Sequence, residues 1–170
     1  MQRWLDRFYA ALMALAAMAM MLAFLAVMAG IADRQFAWGL RGLDAYAGYC
    51  IAAALFLALP GTLQRDEHIR VTLLLQRAPP RLRAALEWWC LAAAVALTGF
   101  LAWYALRLVW VSRLTHDVSQ GSYATPLWLP QIAMALGCIG LLVSCLHALV
   151  ARAMGSVFYK KGGNEAAHVE

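Results

Sequence analysis

The sequence predicts an all-α integral membrane protein, with four transmembrane helices and a short interfacial amphipathic helix between the second and the third. Of its 170 residues, 64% are hydrophobic and only 14% are charged, whereas soluble domains average about 45–50% apolar and about 25% charged residues. One small core cannot bury this apolar excess, so lipid must cover much of it. The composition excludes a soluble enzyme, a disordered chain and a nucleic-acid-binding module, despite the net charge of +5.

Long charge-free stretches carry the prediction of four spans. About 20 apolar residues, rising about 1.5 Å each, cross a hydrocarbon core of about 30 Å. Lipid offers the backbone no hydrogen bonds, so each stretch must be helical. In a single membrane domain, the predicted spans cover residues 8–32, 45–63, 88–106 and 126–151, and a tail follows at 152–170. The first stretch is longer than the hydrophobic region of a signal peptide, about 7–15 residues, so we expect it to remain as a span.

The loop between the second and third spans is amphipathic. Residues 67–78 mix apolar side chains with arginines and end before Pro79 and Pro80. This segment is too short to span and is typical of a helix lying in the membrane interface, with its arginines toward anionic headgroups. Proline is favoured at the first helical position, so Pro80 predicts the start of the helix that leads into the third span.

The distribution of basic residues predicts the orientation. Ten of the 14 Lys and Arg residues lie in the N-terminal segment, the central loop and the tail. The remaining four fall in the other two loops, where we place Arg34, Arg41, Arg107 and Arg113. Because cytoplasmic loops carry the excess of Lys and Arg, both termini and the central loop are expected in the cytoplasm.

No pattern of catalytic, metal or cofactor chemistry is evident. We expect no charged residue in the central part of any span, whereas ion-coupled carriers and proton relays usually need one. Asp44 is interpreted as a boundary residue, and the four cysteines as packing residues without a C-x-x-C pair. A haem held by His68 and His147 is conceivable, but His68 lies among charged residues. We expect neither an enzyme nor a cofactor.

Small residues recur at helical spacing in the fourth predicted span, where Gly140, Ser144 and Ala148 are four residues apart. Such stripes let helix backbones approach closely in lipid. They either pack the four helices together or serve another membrane subunit, for which the first and fourth spans offer the best stripes. The polar loop before the fourth span is expected outside, as a partner contact or a connector. Its Pro126 predicts the helix start, and Pro130, one turn deeper, a kink.

Two segments resemble a known family. The first includes His68, Ile69, Arg70 and Val71, and it is followed by Pro79 and Pro80. The second combines five residues at the approach to the fourth span: Gly121, Pro126, Trp128, Pro130 and Gly137. Together they resemble the small permease subunit, or Q subunit, of TRAP (tripartite ATP-independent periplasmic) transporters, over residues 8–152. Thr72 departs from the family, which often carries an aspartate there.

This resemblance implies a role in transport. In this family a large, sodium-coupled membrane subunit moves substrate in elevator fashion, and a periplasmic binding protein delivers an organic acid. The small subunit scaffolds the large one in the bacterial inner membrane and meets the binding protein indirectly or through its external loops. His68 and Arg70 would lie at the inner headgroup level, and Pro126 and Trp128 at the outer one.

Other classes of membrane protein remain as alternatives. One is a self-contained small transporter that acts as a homodimer, although small multidrug exporters use an acidic residue within the first span and residues 8–32 contain none. Another is a haem-bearing electron-transfer subunit. A third is an accessory or assembly protein of a different membrane complex.

Overall fold

Four α-helices make up the part of the chain that the computed structural model describes, residues 2–36, 38–39, 42–64, 79–119 and 124–154. They are α1 (Gln2–Phe36), α2 (Leu43–Gln64), α3 (Pro80–Leu114) and α4 (Trp128–Ala153). All four are long and apolar enough to cross a membrane. The prediction of an all-helical protein with four helices suited to span a membrane is therefore confirmed. The predicted interfacial helix at 67–78 and residues 155–170 of the tail lie outside the described residues.

The helices pack in a row rather than in chain order. α1 packs against α2, α2 against α4, and α4 against α3, while α1 touches α4 at only a few positions. The α1–α2 and α3–α4 connections lie at the same end of the row, which we call the hairpin end. The opposite end, where α1 and α3 begin and α2 and α4 finish, is called the terminal end. The two outer helices, α1 and α3, thus have one packed side each.

α3 is longer than the third predicted span. It continues from residue 106 to Leu114, so Arg107 and Arg113 belong to the helix. Our placement of these arginines in the third loop was wrong, because leucine and arginine favour helix and nothing interrupts the hydrogen bonds before Thr115. The helix ends there with the Thr115 N–H donating to the Val111 carbonyl at 2.9 Å, and His116 follows at a positive φ of 51°.

Prolines mark the beginnings of two helices. Pro80 is the first residue of α3, as predicted. α4 begins at Trp128, two residues after Pro126, because Pro126 forms an isolated antiparallel bridge with Val118. Pro130 lies in the first turn of α4, where the missing N–H would have had no partner in the helix. The predicted kink at Pro130 therefore has no physical basis.

Candidate interaction surfaces

The contact between α2 and α4 is built around three small residues of α4. A Cβ added to Gly137 would lie 2.5 Å from the carbonyl carbon of Phe56 and 2.8 Å from its Cβ. A Cβ on Gly140 would lie 2.7 Å from Cγ of Pro60 and 2.8 Å from Cδ1 of Leu12. The Ser144 hydroxyl donates to the Pro60 carbonyl at 3.3 Å. Larger residues at the two glycine positions would force the two helix backbones apart.

Pro60 makes this contact specific. It lies fully buried inside α2 and has no N–H to offer to the Phe56 carbonyl one turn earlier. The Phe56 carbonyl therefore receives no helical hydrogen bond from residue 60, and Gly137 of α4 packs against this position. Pro60 was not identified from the sequence, although a proline within an apolar stretch is a signal that a neighbouring helix covers the freed carbonyl.

α1 is held by a narrow stripe of buried residues, Tyr9, Leu12, Ala16 and Ala23. Leu12 and Ala16 pack with Leu57 of α2. The side chain of Met13 lies over Gly61, so α1 and α2 also approach closely near the terminal end. Tyr9 is 1% exposed and is among the largest fully buried side chains. This role of Tyr9 in packing was not predicted from the sequence.

α3 packs through alanines onto α4. Ala102 and Ala105 of α3 form a buried cluster with Ala135 and Cys138 of α4. Nearer the terminal end, Leu91 of α3 packs against buried alanines of α4, one of which is Ala148. Gly140, Ser144 and Ala148 are thus all buried inside the row. The α4 stripe serves the packing of these helices, and it is not available to a further subunit.

Polar contacts tie the helices together at both ends of the row. Arg34 of α1 pairs with Asp44 of α2 at 3.1 Å at the hairpin end. At the terminal end, the Gln64 amide donates to Asp6 at 2.9 Å, and Arg152 of α4 pairs with Glu87 of α3 at 2.6 Å. Such exposed ion pairs contribute only about 0–1 kcal/mol each. They join the helix ends at both ends of the row but add little to its stability.

The α3–α4 connection forms a hairpin that is fastened to α2. The Ser119 N–H donates to the Thr125 carbonyl at 2.8 Å, and the Leu127 N–H donates to the Asp117 carbonyl at 3.0 Å. Two tyrosines of α2 hold the hairpin, with Tyr46 2.9 Å from the Thr125 hydroxyl and Tyr49 donating to Ser119 at 2.8 Å. The described parts of this connection are therefore fixed to the row at its hairpin end.

The predicted motif residues divide into two groups. His68, Ile69, Arg70, Val71 and Gly121 lie outside the described residues. The second group, Pro126, Trp128, Pro130 and Gly137, lies at the beginning and in the first half of α4. The guanidinium of Arg113 lies 5.7 Å from the centre of the Trp128 ring, which is a cation–π contact between α3 and α4. In the described ranges, no three His, Cys, Asp or Glu side chains come together as a metal site.

Broad apolar faces remain on the two outer helices. On α1, Met21 is 63% and Phe24 is 60% exposed; on α3, Leu97 is 70% and Trp103 is 67% exposed. Aliphatic residues, methionines and Phe24 cover the middle of the exposed α1 side. The exposed side of α3 mixes leucines with aromatic residues, among them Phe100, Trp103, Tyr104 and Trp110. In a membrane these surfaces face lipid or another membrane protein.

One comparison with known proteins identifies the family. The family described as "Tripartite ATP-independent periplasmic transporters, DctQ component" matches residues 24–155. Comparison with curated proteins and with solved structures gave no match. The match covers most of the chain and includes α2, α3, α4 and the last 13 residues of α1, from Phe24 to Phe36. The chain therefore belongs to the DctQ family, the small permease component of the TRAP transporters.

Proposed function

We propose that this multi-pass membrane protein is the static scaffold of a sodium-coupled TRAP transporter that takes up an organic acid. The observation that carries this proposal is how closely the four helices are joined to one another. Backbone-to-backbone contact joins α2 to α4 at Gly137. Polar contacts join neighbouring helices at both the hairpin end and the terminal end of the row. Such a unit suits a fixed platform, with its two outer apolar faces free to contact lipid and a larger subunit.

The chemistry of transport is expected to reside in the large subunit. Within the described helices, acidic side chains occur only toward the ends of the row, at Asp6, Asp33, Asp44 and Glu87. A sodium site needs several oxygen ligands together, and a carboxylate substrate needs cationic or helix-terminal groups that converge in a shared cavity. We infer that this chain leaves both tasks to the large subunit and that a soluble periplasmic binding protein delivers the acid.

We propose that the hairpin end faces the periplasm and that both termini lie on the cytoplasmic side of the inner membrane. With Arg107 and Arg113 assigned to α3 and Arg34 to the last turn of α1, Arg41 is the Lys or Arg residue that remains in the two connections at the hairpin end. This greater asymmetry supports the same orientation that the positive-inside rule predicts from the whole chain.

Affinity purification from native membranes in mild detergent tests this proposal. We expect the tagged chain to co-purify with a larger multi-span permease subunit in equal amount, identified by mass spectrometry as the large TRAP component. Recovery of the chain only as a homodimer would contradict the proposal and would favour a self-contained small transporter.

A further inference from the structure

Arg107 is a charged residue on an otherwise apolar helix face. It lies on α3, exposed, one turn from Trp103 on one side and from Trp110 on the other. Both tryptophans are about two-thirds exposed, at 67% and 66%. Phe100 and Leu114 continue the same stripe along the helix, so an arginine stands in the middle of an aromatic surface. We call this stripe, from Phe100 to Leu114, the α3 face.

The packing of α3 on α4 determines how deep Arg107 lies. Arg113 is level with Trp128, the first residue of α4, and Gly99 is level with Leu142. Arg107 is six residues from Arg113 toward the terminal end, so it lies about 9 Å deeper in the row than Trp128. This is the level of the part of α4 just before Gly137, which contacts Phe56 near the middle of α2. Arg107 therefore lies inside α3, seven residues before its last residue, Leu114, rather than in the loop after the span.

Arg107 is poorly placed to reach water. The nearest end of the row is the hairpin end, where α3 finishes. The Cα–Cβ bonds of an α-helix are tilted toward its N-terminus, so the first bond of the Arg107 side chain is directed away from that end. Among the described residues, Arg107 has no hydrogen bond or ion pair. An arginine at this depth is costly in lipid unless a partner compensates its charge.

We propose that the α3 face docks on the large permease subunit and that Arg107 pairs there with a carboxylate of that subunit inside the membrane. This inference rests on the proposed function, because it takes the large subunit as the partner. Charge complementarity identifies the partner group, since a guanidinium excluded from water is matched best by a carboxylate in bidentate geometry. Tryptophan and arginine also dominate the energetics of protein interfaces, and both occur at the centre of the α3 face.

Two other occupants fit the face less well. A second copy of this chain, related by a two-fold axis through the α3 face, would bring two Arg107 side chains together without a counter-charge. A phospholipid phosphate would have to sink about 9 Å below the level of Trp128 to meet Arg107. The exposed α1 face around Met21 and Phe24 has no charge in its middle and is assigned to lipid.

Co-purification of the tagged full chain with the large subunit tests the pairing. Arg107→Leu is expected to lower the recovered large subunit by at least about tenfold, because it leaves the partner's carboxylate unpaired in the membrane. Arg107→Lys is expected to retain part of it. Arg113→Leu, on the same helix and paired with Trp128 within this chain, is the matched control and should recover the full amount.

A second measurement separates docking from folding. A lipid-exposed charge contributes nothing to packing within this chain, so Arg107→Leu should leave the melting temperature of the isolated protein in detergent unchanged or higher. A photocrosslinking amino acid at position 110 should form an adduct with the large subunit, and one at position 21 should not.

The outcomes distinguish this inference from the proposed function. If the wild-type chain recovers no large subunit, the proposed function fails. If the wild type recovers it and Arg107→Leu recovers the same amount, or if position 110 crosslinks only to lipid or to a second copy, the docking of the α3 face is wrong and the proposed function stands.

Discussion

Replacement of Gly137 by alanine is expected to destabilise the protein by about 3 kcal/mol, the upper part of the usual range for overpacking. The added Cβ would lie against the Phe56 carbonyl, 2.5 Å from its carbon and 2.8 Å from the Phe56 Cβ. Backbone atoms of α2 cannot rotate aside as a side chain can, so α4 must move away as a whole. In lipid, helices associate mainly through close packing, and a wider separation loses those contacts. Unfolding by sodium dodecyl sulfate in mixed micelles, followed by circular dichroism, measures the change.

Two glycines of the neighbouring helix α2 provide matched controls for the Gly137→Ala substitution in α4. A Cβ on Gly48 would meet nothing within 4 Å, and alanine favours helix more than glycine does. Gly48→Ala should therefore leave the unfolding midpoint unchanged or raise it slightly. A Cβ on Gly61 would meet the side chain of Met13, which is flexible and can move. Gly61→Ala should therefore lie between the other two. A Gly137→Ala protein as stable as the Gly48→Ala protein would show that the contact between α2 and α4 does not hold the row together.

Truncation of Tyr9 to alanine is expected to cost about 3 kcal/mol, at the lower end of the range for removal of a large aromatic side chain from a core. Tyr9 is 1% exposed and is the bulkiest residue in the stripe that holds α1. Its loss leaves a cavity that the remaining members of the stripe, which are smaller, cannot fill. We expect α1 to detach from the row before the contact between α2 and α4 opens.

The adjacent residue Phe8 is the control for this prediction. It is 40% exposed and its ring lies 5.8 Å from that of Tyr9. Phe8→Ala should change the free energy of unfolding by less than about 1 kcal/mol, because lipid or detergent already covers much of its surface. Disulfide trapping between α1 and α2 during the titration reports whether α1 separates first. Equal effects of the two substitutions would contradict the assignment of Tyr9 as the anchor of α1.

The number of spans is predictable from the sequence because lipid imposes a strong rule. A charge-free stretch of sufficient length must be helical in hydrocarbon, and all four stretches are. The same rule fails at the ends of helices, because a charged residue ends a charge-free stretch without ending the helix. Arg107 shows this limit, since it closes the predicted third span and yet lies well inside α3.

The neighbours of each helix were harder to predict. In a membrane protein, apolar residues face both lipid and other helices, so hydrophobic periodicity identifies the packed side poorly. The spacing of Gly140, Ser144 and Ala148 identified a packed stripe, but not whether it served this chain or a partner. The placement of Pro60 opposite Gly140 and Ser144 assigns these two residues to the contact between α2 and α4, and Ala148 packs with Leu91 of α3.

A disulfide that locks α1 to α2 tests whether this chain is a static scaffold. Gly30 and Leu43 are suited to a disulfide, because a Cβ on Gly30 would lie 3.8 Å from the Leu43 Cβ, about the mean separation in native disulfides. A Gly30→Cys and Leu43→Cys double variant would fix α1 to α2 at the hairpin end. Sodium-driven uptake would be measured in proteoliposomes with the large subunit and the binding protein, before and after reduction, with each single cysteine as a control. We expect the same rate of uptake in the oxidised and the reduced state. Uptake that stops on oxidation and returns on reduction would show that this chain moves during transport, and would contradict the scaffold.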